Sequence, residues 1–556
     1  MYSRQKLIWE FIKRHPYRVA LALFMGFIAS VLLILLPVSL GKYFDLLFGY
    51  NSKRAHFLDA LPFSFWDSIP EFILFFTVAT TLWLLSNFAY RYLTAELGLA
   101  FANELRVQLF ERQMYIPLAE YDRKGHGKYL LRYSGDLGSI KNYLVRGVLR
   151  FAIDLGLILL ALAGLYMLNA EVLSGLLIGF GIIIVVVFFL NRILYSRSVQ
   201  MRNKRSGLLA YVAQRLRAMN TIQAFNRYAP EEKRFEGRSK IVYRAGKRYQ
   251  LIYQLIFTLI PVMLYWTLAL TLYTFSKTGE LSQAHHGNLV AFVLLFITVL
   301  PIFRRLLRIS TVWKVGNISF QKLIRILELG NADLIPNTPF AWKEGTIELQ
   351  QVGFSYDGQK FVLRSINAKI PPKSFAFIKG RTGSGKTTLI KLLMALYPPT
   401  EGYILIDKQD IQAVHPKSLR RHITVVSEEF PLLGRTVFEA ISYSRKQEKR
   451  PKAQEVLDYL QAQLPPERHL QLDDRIGELG DRLSKGQTKM LLYARAMLSE
   501  KPILLIEDPF KNLHGQVKKQ IIAWFEENRK QRSILFFASR AGLGKDAPEV
   551  DVEISL

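Results

Sequence analysis

Long apolar runs, separated by polar and basic stretches, dominate the first 320 residues of the chain. A helix needs about 20 apolar residues to cross the hydrocarbon core of a bilayer. Six runs reach or approach that length, and no strand-like alternation interrupts them. The pattern therefore predicts six membrane-spanning helices, at residues 19–40, 72–93, 151–168, 172–194, 251–275 and 289–307.

The positive charge is concentrated in the same part of the chain. The formal net charge is +29, and residues 340–556 hold 34 Lys and Arg against 26 Asp and Glu, which leaves +21 for the residues before them. Basic segments next to membrane spans stay on the cytoplasmic side. The long basic connections 105–150 and 192–248 therefore predict that both termini are cytoplasmic, in a multi-pass protein of a bacterial-type inner membrane. The same distribution argues against a nucleic-acid-binding surface.

Two further features of the chain narrow the class of protein. Residues 4–15 combine basic residues with a short apolar patch, which predicts an amphipathic helix lying at the membrane interface before the first span. The chain has no cysteine, which excludes disulfides and thiolate metal sites.

The most specific motif lies in the last 210 residues, which have the composition of a soluble α/β domain. A strand-like run at 375–378 leads into G-x-x-x-x-G-K-T, and an apolar helical run follows. Glycines allow backbone N–H groups to surround phosphates, a lysine contacts the outer phosphates, and a threonine hydroxyl ligates Mg²⁺. The pattern predicts that ATP and Mg²⁺ bind at Gly380, Arg381, Thr382, Gly383, Ser384, Gly385, Lys386, Thr387 and Thr388.

The chain as a whole resembles an ABC exporter half-transporter, in which six spans precede one ATP-binding domain. Leu105-Arg-x-x-Leu-Phe110 with Tyr121-Asp122 is similar to the first cytoplasmic loop of that family, and Asn220-Thr-Ile-Gln-Ala-Phe225 is similar to the second. The resemblance implies a membrane α-helical six-span exporter domain (1–328), a linker (329–344) and an α/β P-loop ABC ATPase domain (345–556). It also implies short coupling helices near 117–127 and 218–226 that press on the ATP-binding domains.

Family motifs of nucleotide recognition are also present. Tyr356 occupies the position where the family stacks an aromatic ring on adenine. The signature motif corresponds to Ser484, Lys485, Gly486 and Gln487, and in the family it completes the ATP site of the partner domain. Lys485 stands where the family has glycine. Its charge strengthens ATP binding, or its side chain crowds the site, and the sequence leaves both open.

The hydrolytic residues depart from the family pattern. Glu428 replaces the usual Gln, and Glu507-Asp508 reverses the usual Asp-Glu order, so that Glu507 is the expected metal ligand and Asp508 the expected general base. Asp508 is one methylene shorter than glutamate, and Ser539 replaces the usual His. Proton transfer requires contacts near 3 Å, so we expect a weak general base. The resemblance thus implies catalytic positions Asp508, Glu428 and Ser539, and Mg²⁺ ligands Thr387, Glu428 and Glu507.

These departures predict a subunit that binds ATP but hydrolyses it slowly, paired with a second half-transporter in a heterodimer. The alternatives are an ATP-gated channel or regulatory subunit that does not pump, and an active homodimeric exporter. The substrate is undefined and can be drug-like, a peptide or a lipid. Charged residues in or near the spans either lie at membrane interfaces or line a cavity for an anionic substrate. They are Lys42, Asp45, Arg91, Asp154, Arg304, Arg305 and Arg308.

Overall fold

The computed structural model of the chain describes residues 2–48, 68–124, 129–130, 132–168, 170–277, 286–307, 309–330, 336–543 and 548–556. It divides into two compact units. The first comprises Met1–Met114 and Gly125–Gly330, and the second comprises Tyr115–Lys124 and Asn331–Leu556. The second unit therefore includes a segment from the first basic connection, which holds the short helix Leu118–Lys124. The predicted domain boundaries at 328 and 345 stay predictions.

The described part of the first unit is helical. Several helices are much longer than a bilayer is thick, since the largest have 48 and 50 residues and about 20 are needed to cross. They therefore continue beyond the apolar runs into the basic connections. The helices are Arg4–Arg14, Pro16–Phe48, Ile69–Gln113, Leu137–Leu144, Arg150–Leu168, Ala170–Arg217, Met219–Ala224, Tyr228–Lys277, His286–Leu307 and Ile309–Leu329, with π-helical turns at Arg132–Asp136 and Val145–Leu149.

Among the described residues, four segments are long and apolar enough to cross a membrane. They are Pro16–Gly41, Ile69–Gln113, Leu177–Arg217 and Tyr228–Tyr273. The other two predicted spans, 151–168 and 289–307, are helical in the structure. Parts of both lie outside the residues whose side chains are described, so their membrane crossing stays a prediction.

Polar contacts hold the first helix against its neighbours. Leu7 and Phe11 are buried on one face of Arg4–Arg14. At the end of the helix, Arg14 forms an ion pair with Glu104 at 2.8 Å, and the His15 ring lies 2.9 Å from the same carboxylate. Apolar burial and charge therefore both attach the helix to its neighbours, and its position at a membrane interface stays a prediction.

Two sheets form the second unit. The strands are β1 Ile347–Ser355, β2 Phe361–Ile370, β3 Phe375–Lys379, β4 Glu401–Ile406, β5 Gln409–Asp410, β6 Ile423–Val426, β7 Ile503–Glu507, β8 Ser533–Ala538 and β9 Val552–Ser555. An antiparallel sheet has the order β2-β1-β4-β5, and a parallel sheet has the order β6-β7-β8-β3-β9. Helices include Lys386–Leu393, Pro416–Leu419, Val437–Ser442, Arg450–Gln461, Lys485–Ser499, Gly515–Asn528 and Arg540–Leu543.

The parallel sheet decides where the site forms. Strands β3, β7 and β8 are buried along nearly their whole length, because each is a run of apolar residues covered on both faces. Their carboxyl ends meet at one edge of the sheet, which is where ligands bind in open α/β sheets. The phosphate-binding loop follows β3, Glu507 ends β7, and Ser539 follows β8.

Asp407 stabilises the segment of the chain that leads into β1. Its two carboxylate oxygens accept hydrogen bonds from four consecutive backbone N–H groups at 2.7 to 3.3 Å, those of residues 343 to 346. Asp407 and one of the donor residues, Gly345, are buried, so removal of the carboxylate would leave the Gly345 N–H without its partner. We expect Asp407→Ala to lower the free energy of unfolding of this unit by about 3 kcal/mol.

The loss is measured as a lower midpoint of thermal unfolding of the purified full-length chain. Asp410→Ala is the matched control, because Asp410 accepts one backbone bond, from Gln412 at 2.9 Å. Equal shifts for the two variants would contradict the role assigned to Asp407.

Candidate functional site

The phosphate-binding loop has the backbone geometry that its glycines predict. Gly385 has φ of +96°, and a Cβ there would lie 2.5 Å from Leu363 Cδ2, so no side chain fits. Lys386 donates to the carbonyl oxygens of Gly380 and Arg381, both at 2.9 Å. The hydroxyl of Ser384 is buried and has no hydrogen-bond partner among the described residues. An unsatisfied donor inside the loop, beside a lysine held only by carbonyls, fits a phosphate ligand.

The residues present also fit Mg²⁺. Thr387 and Ser427 donate from their hydroxyls to the two carboxylate oxygens of Glu507. A hydroxyl and a carboxylate side by side are the oxygen ligands that Mg²⁺ takes together with phosphate and water. Thr387 and Glu507 would hold the ion, which when bound supplies positive charge to the phosphates. Glu428 makes a different contact, since its Oε1 accepts from Asn512 Nδ2 at 3.0 Å, and its role as a ligand stays a prediction.

The two remaining hydrolytic positions have partners of their own. Asp508 follows β7 with φ of +45°, and its carboxylate lies 3.7 Å from the ammonium of Lys511. Ser539 accepts a hydrogen bond at its hydroxyl from the backbone N–H of Gly542 at 3.1 Å. Weak general-base activity at these two positions stays a prediction. The structure brings both residues to the same sheet edge as the phosphate loop.

Tyr356 contacts the helix Lys386–Leu393, which follows the phosphate-binding loop. Its hydroxyl is 3.1 Å from the hydroxyl of Thr388, and its ring is half exposed. Phe354 and Tyr397 pack edge-on against the ring, with centroids 4.8 and 5.5 Å away. Adenine recognition by Tyr356 stays a prediction.

A contact that the sequence did not indicate adjoins this aromatic cluster. Tyr397 donates its hydroxyl to Asp122 on the helix Leu118–Lys124. Burial, followed by the neighbouring Asp122 carboxylate, raises the pKa of Tyr397 above its ordinary value. Leu118 packs on the apolar core beneath the antiparallel sheet. The segment implied to be a coupling helix is thus bonded within the nucleotide-binding unit, close to the predicted adenine position.

The signature motif begins a helix in the way its residues predict. Ser484 is the N-cap residue of the helix Lys485–Ser499. Its hydroxyl accepts a hydrogen bond from the backbone N–H of Gln487, and the side-chain oxygen of Gln487 accepts one from the backbone N–H of Ser484. Lys485 is exposed, so its side chain does not crowd the interior of this chain. Gly486 is different, because a Cβ there would lie 2.9 Å from the Asn512 carbonyl oxygen. That close approach explains why the position of Gly486 in the motif excludes a side chain.

Two site residues escaped the sequence analysis, namely Ser427 and Lys489. Ser427 carried no signal beyond its position next to Glu428. Lys489 did carry a signal in the sequence, because this charged residue lies on the apolar face of its helix, between Ser484 and a run of buried residues.

The described part of the first unit holds a cavity of about 360 Å³ that is lined by both charged and apolar side chains. Arg305 forms a bidentate pair with Asp154 at 2.7 and 3.0 Å, and Arg150 lies 3.9 Å from the same carboxylate. Arg146 also lines the cavity, and Asn191 has a buried carbonyl oxygen without a hydrogen-bond partner there. Of the other charged residues predicted in or near spans, Arg308 and the side chains of Lys42 and Asp45 lie outside the described residues.

Family models match most of the chain. Residues 19–302 match the model described as the ABC transporter transmembrane region, and residues 363–511 match the one described as ABC transporter. The first match alone covers more than half of the chain. The predicted fold class and the half-transporter architecture are thereby confirmed.

Individual proteins agree with the family models. The chain is 26% identical over 479 residues to the ATP-dependent lipid A-core flippase of Nitrosococcus oceani, covering 84% of this chain and 79% of that protein. It is 25% identical over 476 residues to the protein of the same name from Haemophilus influenzae, covering 84% and 80%. Its fold is similar to that of a bacterial Atm1-family ABC exporter with ATP bound, with a TM-score of 0.81 at 19% identity over 98% of this chain and 93% of that one.

Proposed function

Because the chain belongs to the ABC transporters and has the exporter architecture, we propose that it uses ATP to move an anionic lipid from the cytoplasmic side of a bacterial-type inner membrane. One observation carries the substrate class, the arginine-lined cavity in the first unit. The lipid A-core flippases among the similar proteins support the same class.

The charge in the cavity favours an acidic head group. Three arginines line it, and Asp154 supplies the one carboxylate among its described lining residues. Arg305 bonds to both oxygens of that carboxylate, and three arginines against one carboxylate leave an excess of positive charge in the lining. Intramembrane charges of this kind mark substrate pathways, and arginine binds phosphate in a bidentate manner. Leu194, Ile256 and Leu306 offer apolar surface beside the arginines for the start of an acyl chain.

The nucleotide site favours slow hydrolysis in this subunit. The residues predicted to bind phosphate are intact. In contrast, Asp508 is paired with Lys511, and the Ser539 hydroxyl accepts a hydrogen bond from the Gly542 N–H. A partner half-transporter with a complete site would supply rapid turnover, and Ser484, Gly486 and Gln487 of this chain would complete that site from across the interface. The proposal is therefore a heterodimer in which this subunit binds ATP and hydrolyses it slowly.

We expect the chain, in nanodiscs, to bind lipid A at least about tenfold more tightly than phosphatidylcholine. The double variant Arg146→Gln, Arg150→Gln should reduce that preference to below about threefold, because the phosphates lose their charged donors. Competition with a fluorescent anionic lipid measures the affinities. Arg197→Gln is the control, since Arg197 is half-buried, bonds to Gln200 and does not line the cavity. Equal affinities for both lipids in the unaltered chain would rule out the anionic class.

A further inference from the structure

One side chain in the lining of the arginine-containing cavity carries an unsatisfied hydrogen-bond acceptor. Asn191 lies on the helix Ala170–Arg217, is 6% exposed and lines the cavity. Its carbonyl oxygen is buried and has no hydrogen-bond partner among the residues that the structure describes. A buried polar atom without a partner is costly and usually marks a site that another group completes. Asn191 therefore calls for a donor that enters the cavity.

The other end of the Asn191 amide fixes its orientation. Its Nδ2 donates to the backbone carbonyl oxygen of Leu307 at 2.9 Å, where the helix His286–Leu307 ends. A carbonyl oxygen can only accept, so the amide nitrogen must be the end that faces Leu307. The last carbonyls of a helix lack donors within the helix, which makes this bond useful to the fold. The remaining end of the amide is therefore held as an acceptor.

The other polar side chains of the lining do not offer the same group. Arg146, Arg150 and Arg305 can only donate. Both carboxylate oxygens of Asp154 already accept from Arg305, at 2.7 and 3.0 Å. The tyrosine and threonine hydroxyls of the lining can donate as well as accept. Among the described side chains of the lining, the oxygen of Asn191 is thus the neutral acceptor that has no partner and cannot itself donate.

The charge of the cavity restricts which donor can pair with this oxygen. Arginines outnumber carboxylates among the described lining residues, so an anion is attracted and an ammonium group is repelled. The donor that suits Asn191 is therefore neutral. A hydroxyl on the head group of an anionic lipid meets this condition, because it donates a hydrogen bond without changing the charge of the lipid.

We propose that Asn191 is a specificity-determining residue, whose side-chain oxygen accepts a hydrogen bond from a hydroxyl of the lipid head group while the arginines bind the phosphate. The cavity then selects a hydroxylated anionic lipid over one of equal charge that lacks the hydroxyl. The selection arises because a head group without a donor leaves the buried oxygen unsatisfied. This inference rests on the proposed function, since it refines the class of lipid bound in the same cavity.

Two lipids that differ only in head-group hydroxyls provide the test. Phosphatidylglycerol and phosphatidylpropanol with the same acyl chains have the same negative charge and the same number of head-group carbons. We expect the unaltered full-length chain, in phosphatidylcholine nanodiscs, to bind phosphatidylglycerol about fivefold more tightly, which is the effect of one buried hydrogen bond. Competition with a fluorescent anionic lipid measures both affinities.

Three variants separate hydrogen bonding from charge and from packing. Asn191→Leu keeps the size of the side chain and removes the acceptor, so the ratio of the two affinities should fall below about twofold. Arg150→Gln should weaken the binding of both lipids and preserve the ratio, because their charge is the same. Asn87→Leu is the matched control, since Asn87 accepts from Arg91 at 3.2 Å and does not line the cavity. It should leave both affinities unchanged.

A purely structural role for Asn191, through its bond to Leu307, predicts a different pattern. Asn191→Leu would then change both affinities by the same factor, and a preserved ratio overturns the inference. Equal affinities in the unaltered chain overturn it too, even if Asn191→Leu does not fold. If both lipids still bind more tightly than phosphatidylcholine, the proposed anionic class survives that result. If neither does, the anionic class is rejected and the role of Asn191 with it.

Discussion

Lys386→Met should weaken ATP binding about a hundredfold. The ammonium of Lys386 is held over the loop by the carbonyls of Gly380 and Arg381 and has no carboxylate partner in the described structure around the loop. At an effective dielectric constant of about 20, a unit charge about 4 Å from a phosphate charge contributes roughly 4 kcal/mol. The loop is partly solvated, which reduces the effect to about two orders of magnitude in affinity.

A titration of the full-length chain with a fluorescent ATP analogue measures this loss. Lys379→Met is the control, because Lys379 ends the preceding strand and pairs with Glu553 at 3.3 Å rather than with the loop. We expect its affinity to stay within about threefold of the unaltered chain. Similar losses in the two variants would mean that general positive charge, and not the position of Lys386, controls binding.

The second large effect concerns hydrolysis. Restoring the family residues in the triple variant Glu428→Gln, Asp508→Glu, Ser539→His should raise ATP turnover by the chain alone about a hundredfold. Glutamate at 508 adds the methylene that the general base lacks, and histidine at 539 replaces a hydroxyl that accepts the Gly542 N–H. The rate is measured as Mg²⁺-dependent phosphate release, and Lys386→Met added to the triple variant provides the background.

Two outcomes would each contradict one part of the proposed function, the slow site or the export of lipid. One is rapid turnover by the unaltered chain that Asp508→Asn abolishes, which would favour an active homodimer. The other is ion current without directional lipid movement when the chain is reconstituted with a second half-transporter, which would favour the channel alternative. Turnover that appears only with an unlike partner, together with lipid movement, is the result that the heterodimer predicts.

Local motifs were the most predictable part of the site. The phosphate loop, the signature motif and the buried strand β7 each depend on a few consecutive residues, and adjacent residues determine backbone geometry directly. Ser484 and Gln487 form the capping box that their spacing indicates. The two-domain architecture was equally predictable, because bilayer thickness sets the length of an apolar helix.

Pairings between distant segments were not predictable. Arg305 and Asp154 were both identified as charged residues of the spans, but nothing in the sequence indicated that they form a bidentate pair across 151 positions. The bond from Asn512 to Glu428 joins residues 84 positions apart. Lys489 was overlooked because a lysine on a helix usually points to solvent, and its burial depends on which face packs against β7.

The amino-acid sequence by itself determined that this chain spans a membrane, binds nucleotide phosphates and lacks three of the usual hydrolytic residues. These properties follow from residue type and short-range spacing. Only the tertiary structure decided what those unusual residues contact, since the parallel sheet brings the ends of β6, β7 and β8 to one edge whatever their separation in sequence. The charge balance at that edge depends on distances of a few ångströms between segments, which no local pattern encodes.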